Sequence, residues 1–415
     1  MTTTDGRGLV LPTGPRHRVT TLELFFDLVF VFAFTQVTAL VAADGGGRGA
    51  VRGLVLAALL WWAWCSYSWL GNQAKADEGI VRHAMFLAMG AMMILALAIP
   101  EAWDDRPGGL DAPLVLALCF TVVQWCHLGV YAVAAGTDRG LLRQIARVAA
   151  PVLVGNVLLV VGSLVGPSAR TGWWVAAMLV NYTAIYVAGA SGWRLPAPAH
   201  FAERYALIVL IALGESIVAI GVGVAALPIS LPVVVATAAA IALSITLWWL
   251  YFDVLALTLE HRLVGEGVGV AQTRLARDTF TYLHFPVVAS VLGTAVGLKK
   301  VFAYVGDPGA HELTDAVHGL PSLLLTGGPA VYLLALAAVR WRNTGSVAAP
   351  HLVAAAALAA LAAVNEGAGL PALAYLAAVA AVLVVLVLVE TRTGAGARAA
   401  YRHAGDAGDA EDAED

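Results

Sequence analysis

Charge is scarce in this chain. Of its 415 residues, 13% are Asp, Glu, Lys or Arg, about half the roughly 25% of an average soluble domain, and that shortage excludes a water-soluble globular enzyme. The two signs nearly cancel, with 24 basic against 28 acidic residues, so no excess of positive charge points to nucleic acid as a partner. Cysteine is rarer still: Cys65, Cys119 and Cys126 all sit inside apolar runs, too few for a disulfide framework and without a CxxC metal motif. No HExxH occurs, and no apolar run holds a His and a carboxylate at i, i+4, so no metal site is expected. Cofactor motifs are missing as well. Gly221-Val-Gly223 lacks the third glycine of a dinucleotide loop, and neither GxxxxGK[ST] nor GxSxG is present.

Apolar residues are what the chain has in quantity: 60% of it is hydrophobic, and the mean hydropathy is +0.81. Crossing a bilayer takes about 20 mostly apolar residues, and twelve runs approach that length, at 22–41, 53–70, 84–99, 114–134, 148–165, 173–190, 205–226, 231–257, 279–298, 321–339, 351–364 and 371–389. The predicted fold class is therefore an all-α integral membrane protein of about twelve transmembrane helices, surrounded by membrane lipids. With the N-terminus inside, 18 of the 24 basic residues fall in inside segments and 6 in outside segments, as the positive-inside rule demands. Both termini are thereby expected in the cytoplasm, and the first run is expected to stay as a span, because acidic rather than basic residues open it. Residues 1–18 read as a disordered cytoplasmic tail. So do residues 391–415, with Asp406, Asp409, Glu411, Asp412, Glu414 and Asp415.

Sliding the chain on itself sets the segment from Glu23 beside the segment from Glu203, 180 residues on, and Leu60-Trp-Trp-Ala-Trp64 beside Leu247-Trp-Trp-Leu-Tyr251. This predicts two parallel six-helix repeats, 19–195 and 196–390, with a polar site at their interface. A homodimer is compatible with the sequence.

Ionisable residues inside spans are costly and mark functional sites by default. Asp27 lies about 12 Å along the first helix, too deep to reach water; it reads as a pathway carboxylate or as one hydrogen-bonded to a neighbouring helix. Glu23 reads equally as a helix cap, because Thr20-Thr-Leu-Glu23 fits a capping box. Gln36 stands on the opposite side of that helix from Asp27. In the seventh span Glu215, followed by Ser216, is the strongest single candidate, while Glu203 and Arg204 at its start read as an interfacial pair or gate. Asp253, near the end of the eighth span, reads as a helix-end ion pair or a pathway group. His127 and His284 could relay protons from Glu215. These residues fit a transporter or channel for a small ion or solute; a membrane-embedded lipid-modifying enzyme or a non-catalytic scaffold is the alternative.

Thr21-Leu-Glu-Leu-Phe-Phe-Asp-Leu-Val-Phe-Val-Phe-Ala-Phe-Thr-Gln-Val37, Tyr67-Ser-Trp-Leu-Gly-Asn72 with Asp77 and Arg82, Glu203 to Gly221, and Trp249-Leu-Tyr-Phe-Asp253 resemble the bacterial low temperature requirement A family. The resemblance implies a multi-span protein of the bacterial inner membrane, of a family named for growth in the cold with no established activity. Glu23 to Thr35 is also similar to the first helix of a potassium-channel family of six-helix repeats with a Phe-Ser-Asp signature, in which Phe26 here replaces the serine. That similarity implies a channel-like fold.

Overall fold

The computed structural model describes residues 10–15, 17–224, 228–307 and 309–393. Twelve long helices run in chain order: α1 (Thr21–Asp44), α2 (Gly47–Gln73), α3 (Gly79–Ala98), α4 (Ala112–Ala135), α5 (Arg139–Leu164), α6 (Pro167–Ala188), α7 (Pro198–Val224), α8 (Leu231–Phe252), α11 (His284–Gly306), α12 (Leu320–Thr344), α13 (Ala349–Ala368) and α14 (Ala372–Thr393). Two short ones, α9 (Leu255–Gly265) and α10 (Val270–Leu275), lie between α8 and α11. Among the described residues the only β features are two isolated bridges, Pro12 with Ala74 and Ala316 with Pro371. Eleven helical segments among the described residues are long and apolar enough to cross a membrane. Each overlaps one of the predicted runs, and the remaining run, 173–190, overlaps α6. That helix is 22 residues long but carries Arg170, Asn181, Tyr182 and Thr183, and it is not among the eleven.

Most helices extend past their apolar runs at one end or both, because local capping, not hydropathy, sets their ends. Thr20 caps α1 through the predicted box: its hydroxyl accepts from the Glu23 amide while the Glu23 carboxylate accepts from the Thr20 amide. Asp111 and Asp138 cap α4 and α5 with their carboxylates alone, accepting from the Leu114 amide and from the Gly140 and Leu141 amides. The predicted eighth span, 231–257, is interrupted at Asp253, the C-cap of α8, and continues as α9. Before α11 the chain makes a π-helix, Ala276–Tyr282.

The chain divides into two compact units, one of residues 1–211 with 263–285, the other of 212–262 with 286–415. In the first, α1 packs on α2 and α3, and α4 packs on α3 and α5. There α2 also touches α4 and α6, and it is more enclosed than α1, 67% buried against 44%. In the second, α14 packs on α8 and α13, and α13 on α12. Part of the tail expected at 1–18 is docked on the first unit: Thr13 is buried with its hydroxyl donating to the Asn72 carbonyl, and the Lys75 amide donates to the Leu11 carbonyl at 2.9 Å. Residues 1–9 of that tail, and all but the first three of the acidic one, fall outside the described residues.

Candidate functional site

A buried ladder of charge joins α1 to α7 inside the first unit. Glu23 and Asp27 are one turn apart on α1, and His200 and Arg204 are one turn apart on α7, so each pair shares a helix face. His200 Nε2 lies 3.0 Å from Glu23 Oε1. The Arg204 guanidinium donates to both Asp27 oxygens, at 2.8 and 2.9 Å, and its Nε sits 3.8 Å from Glu23 Oε1. Trp64 of α2 completes the cluster, donating to Asp27 Oδ1 at 2.8 Å with its ring 5.4 Å from the guanidinium carbon. All five side chains are 0–1% exposed. Charges of this kind, taken out of water, persist only when paired and hydrogen-bonded.

Glu23 fits because α2 presents no side chain to it. A Cβ added at Gly71 would lie 2.5 Å from Glu23 Oε1, inside any real contact, so Gly71→Ala must displace the carboxylate from His200. A loss of about 1–3 kcal/mol is expected, read as a lowered unfolding temperature in detergent against Gly90→Ala, where nothing lies within 4 Å. His17, ahead of the first span, closes the upper end, its ring centroid 4.7 Å from that of His200. Its pKa is lowered, chiefly by burial and next by repulsion from His200.

The second unit holds another buried pair. Lys299 of α11 donates to Glu215 at 3.0 Å, the carboxylate side chain 1% and the lysine 14% exposed. The neighbouring Ser216 is fully buried with its hydroxyl unpartnered. Asp253 is half-buried at the end of α8.

The remaining predicted residues are placed elsewhere. Glu203 and Arg204 do not pair with each other, because neighbours on a helix diverge by about 100°: Glu203 accepts from the Val19 amide at 3.3 Å while Arg204 turns inward to Asp27. Gln36 is half-buried on α1, nine residues from Asp27. The His284 ring stacks on Phe280 at 5.2 Å, its Nδ1 2.8 Å from the Thr279 carbonyl. His127 lies between Tyr67 and Tyr131 on the wall of a cavity of about 70 Å³ that Trp62, Trp69, Gln124 and Trp193 also line.

Three partners escaped the sequence reading. Lys299 counts there as a loop residue although it lies within α11, His200 precedes the apolar run of α7, and Trp64 reads as packing. The one available signal is the shared spacing: His200 and Arg204 follow Glu23 and Asp27 by the same 177 residues.

An uncharacterized protein of Rhizobium meliloti (strain 1021) is similar to this chain, 29% identical over 319 residues that make up 74% of this chain and 75% of that protein. No solved structure matches the chain. The family described as bacterial low temperature requirement A protein matches residues 18–388, a stretch that takes in both buried pairs and nearly every described helix, and the chain belongs to that family.

Proposed function

We propose that this protein is a transporter or channel that moves a small ion or solute across the bacterial inner membrane. The observation that carries this reading is the wholly buried ladder of Glu23, Asp27, His200 and Arg204 within helices of membrane-spanning length. Such groups cost free energy at that depth and concentrate along substrate and ion pathways. Glu215 with Lys299 supplies a second charged station. Asp27 and Glu215 are the pathway carboxylates of this reading, Ser216, Asp253, Gln36, His127 and His284 its polar lining, and Glu23 its gate.

Two parallel six-helix repeats accord with the ladder, because contacts at a constant offset of 177 residues mean that α1 and the first turns of α7 run in the same direction. The distribution of basic residues, 18 against 6, supports cytoplasmic termini and requires α6 to cross; its 22 residues reach about 33 Å at 1.5 Å per residue.

Purified full-length protein in proteoliposomes is expected to carry flux under a proton, sodium or potassium gradient. Glu215→Gln leaves Lys299 close enough to the surface to stay hydrated, and should cut flux about ten-fold or more, equivalent to about 1.4 kcal/mol on the barrier. Flux undiminished in this variant, or absent from the parent protein under all three gradients, overturns the proposal.

A further inference from the structure

The outer end of the ladder has the donor set of a metal centre. His17, Glu23 and His200 each offer one ligand atom, and the three atoms lie within 4.8 Å of one another. His17 Nε2 is buried without a hydrogen-bond partner, while His200 presents Nε2 to the site, 3.0 Å from Glu23 Oε1. Buried polar nitrogens are rarely left unpartnered as His17 Nε2 is.

Charge points the same way. Two carboxylates, Glu23 and Asp27, face one guanidinium, Arg204, in a cluster that is 0–1% exposed, so Glu23 needs a positive neighbour, a part His200 plays and a bound metal ion could take over. The other ionisable groups felt at His17 are Lys75 and Asp77, which cancel each other.

We propose that His17, Glu23 and His200 bind one divalent transition-metal ion. Two imidazoles and a carboxylate suit zinc or iron(II) rather than calcium or magnesium, which take oxygen ligands, and three protein ligands leave a coordination position for water or a solute. The groups behind the ligands are already in place. The Thr20 amide and hydroxyl hold Glu23 at 2.9 and 3.0 Å, as outer partners orient the ligands of known centres. A metal ion replaces the hydrogen bond between His200 Nε2 and Glu23, and His17, on the segment ahead of α1, closes the remaining distance. The site stands independently of ion flux.

The test uses the full-length protein without a polyhistidine tag, stripped with a chelator and titrated with Zn²⁺ against a chromophoric competitor, and separately with Co²⁺. One equivalent of Zn²⁺ should bind, and Co²⁺ should develop visible absorption bands. His17→Gln removes a half-buried ligand outside the helices, so the fold should survive; its metal affinity should fall about ten-fold or more, with the unfolding temperature of the metal-free protein unchanged. Glu23→Gln should lose the cobalt bands. No stoichiometric binding, or an affinity that His17→Gln leaves intact because exposed histidines such as His83 or His318 hold the metal, overturns the proposal.

Discussion

Replacing Arg204 with methionine is expected to destabilise the protein by about 3–5 kcal/mol, the cost of leaving a buried charge without its partner. Arg204 is 1% exposed and supplies both of Asp27's guanidinium hydrogen bonds. Without it, Asp27 and Glu23 confront each other one turn apart, Asp27 keeping the Trp64 indole as a donor and Glu23 the His200 ring and Thr20. Neither carboxylate can readily be rehydrated, since Glu23 and Asp27 are each 1% exposed. The double change Arg204→Met with Asp27→Leu removes both charges together and should recover most of the loss, because apolar replacement of a buried pair is often neutral or better. Thermal unfolding in detergent, followed by tryptophan fluorescence, reads both. Equal losses in the single and double variants would mean that the two side chains are not energetically coupled.

The second large effect is expected where α11 crosses α12. A Cβ built on Gly297 would lie 2.7 Å from the Leu325 Cα and backbone nitrogen; one on Gly328 would lie 2.8 Å from the Ser290 carbonyl oxygen and against the Thr294 hydroxyl. The obstructing atoms are mostly backbone, so no side-chain rotation relieves the clash and the helices must part. In lipid, helices associate through close packing rather than a hydrophobic drive, which makes small residues at such crossings decisive. Gly297→Ala and Gly328→Ala should each cost about 1–3 kcal/mol, and valine more. Gly327→Ala, one residue away with nothing within 4 Å of its Cβ position, should instead be neutral or gain up to about 1 kcal/mol from alanine's higher helix propensity. Unfolding temperatures that rank Gly297→Ala with Gly327→Ala would refute the close crossing.

How much of this was legible beforehand depends on what hydropathy measures. Every apolar run falls mainly on helix because lipid exposure and helix-core burial both demand apolar residues, and Thr20 with Glu23 announces a helix start by local chemistry alone. Asp27 and Glu215 stand out because a carboxylate is conspicuous in an apolar run. Their partners do not. Arg204 and Lys299 sit near run edges, where basic residues usually face water, and tertiary pairing 177 or 84 residues away leaves no trace in a 3.6-residue period. The histidines at 17 and 200 lie outside the runs altogether. Their meeting is a product of the way α1 and α7 pack, which no local pattern encodes.

The π-helix from Ala276 to Tyr282 carries a consequence for chain length. Its wider turns leave carbonyls available to side chains, and Thr281 uses its own to accept from Trp61 at 2.8 Å while its hydroxyl accepts from Trp69 at 3.0 Å. A π turn holds one residue more than the α turn it replaces. Removing a single residue there would let the backbone relax to regular α geometry, and the positions beyond the gap would change phase by about 100° relative to those before it. Thr281 would then turn away from both indoles. The loop from Glu266 to Gly269, by contrast, can lose or gain a residue without rotating a helix. Tolerance to insertion and deletion in this stretch is therefore set by register rather than by the identity of the residue.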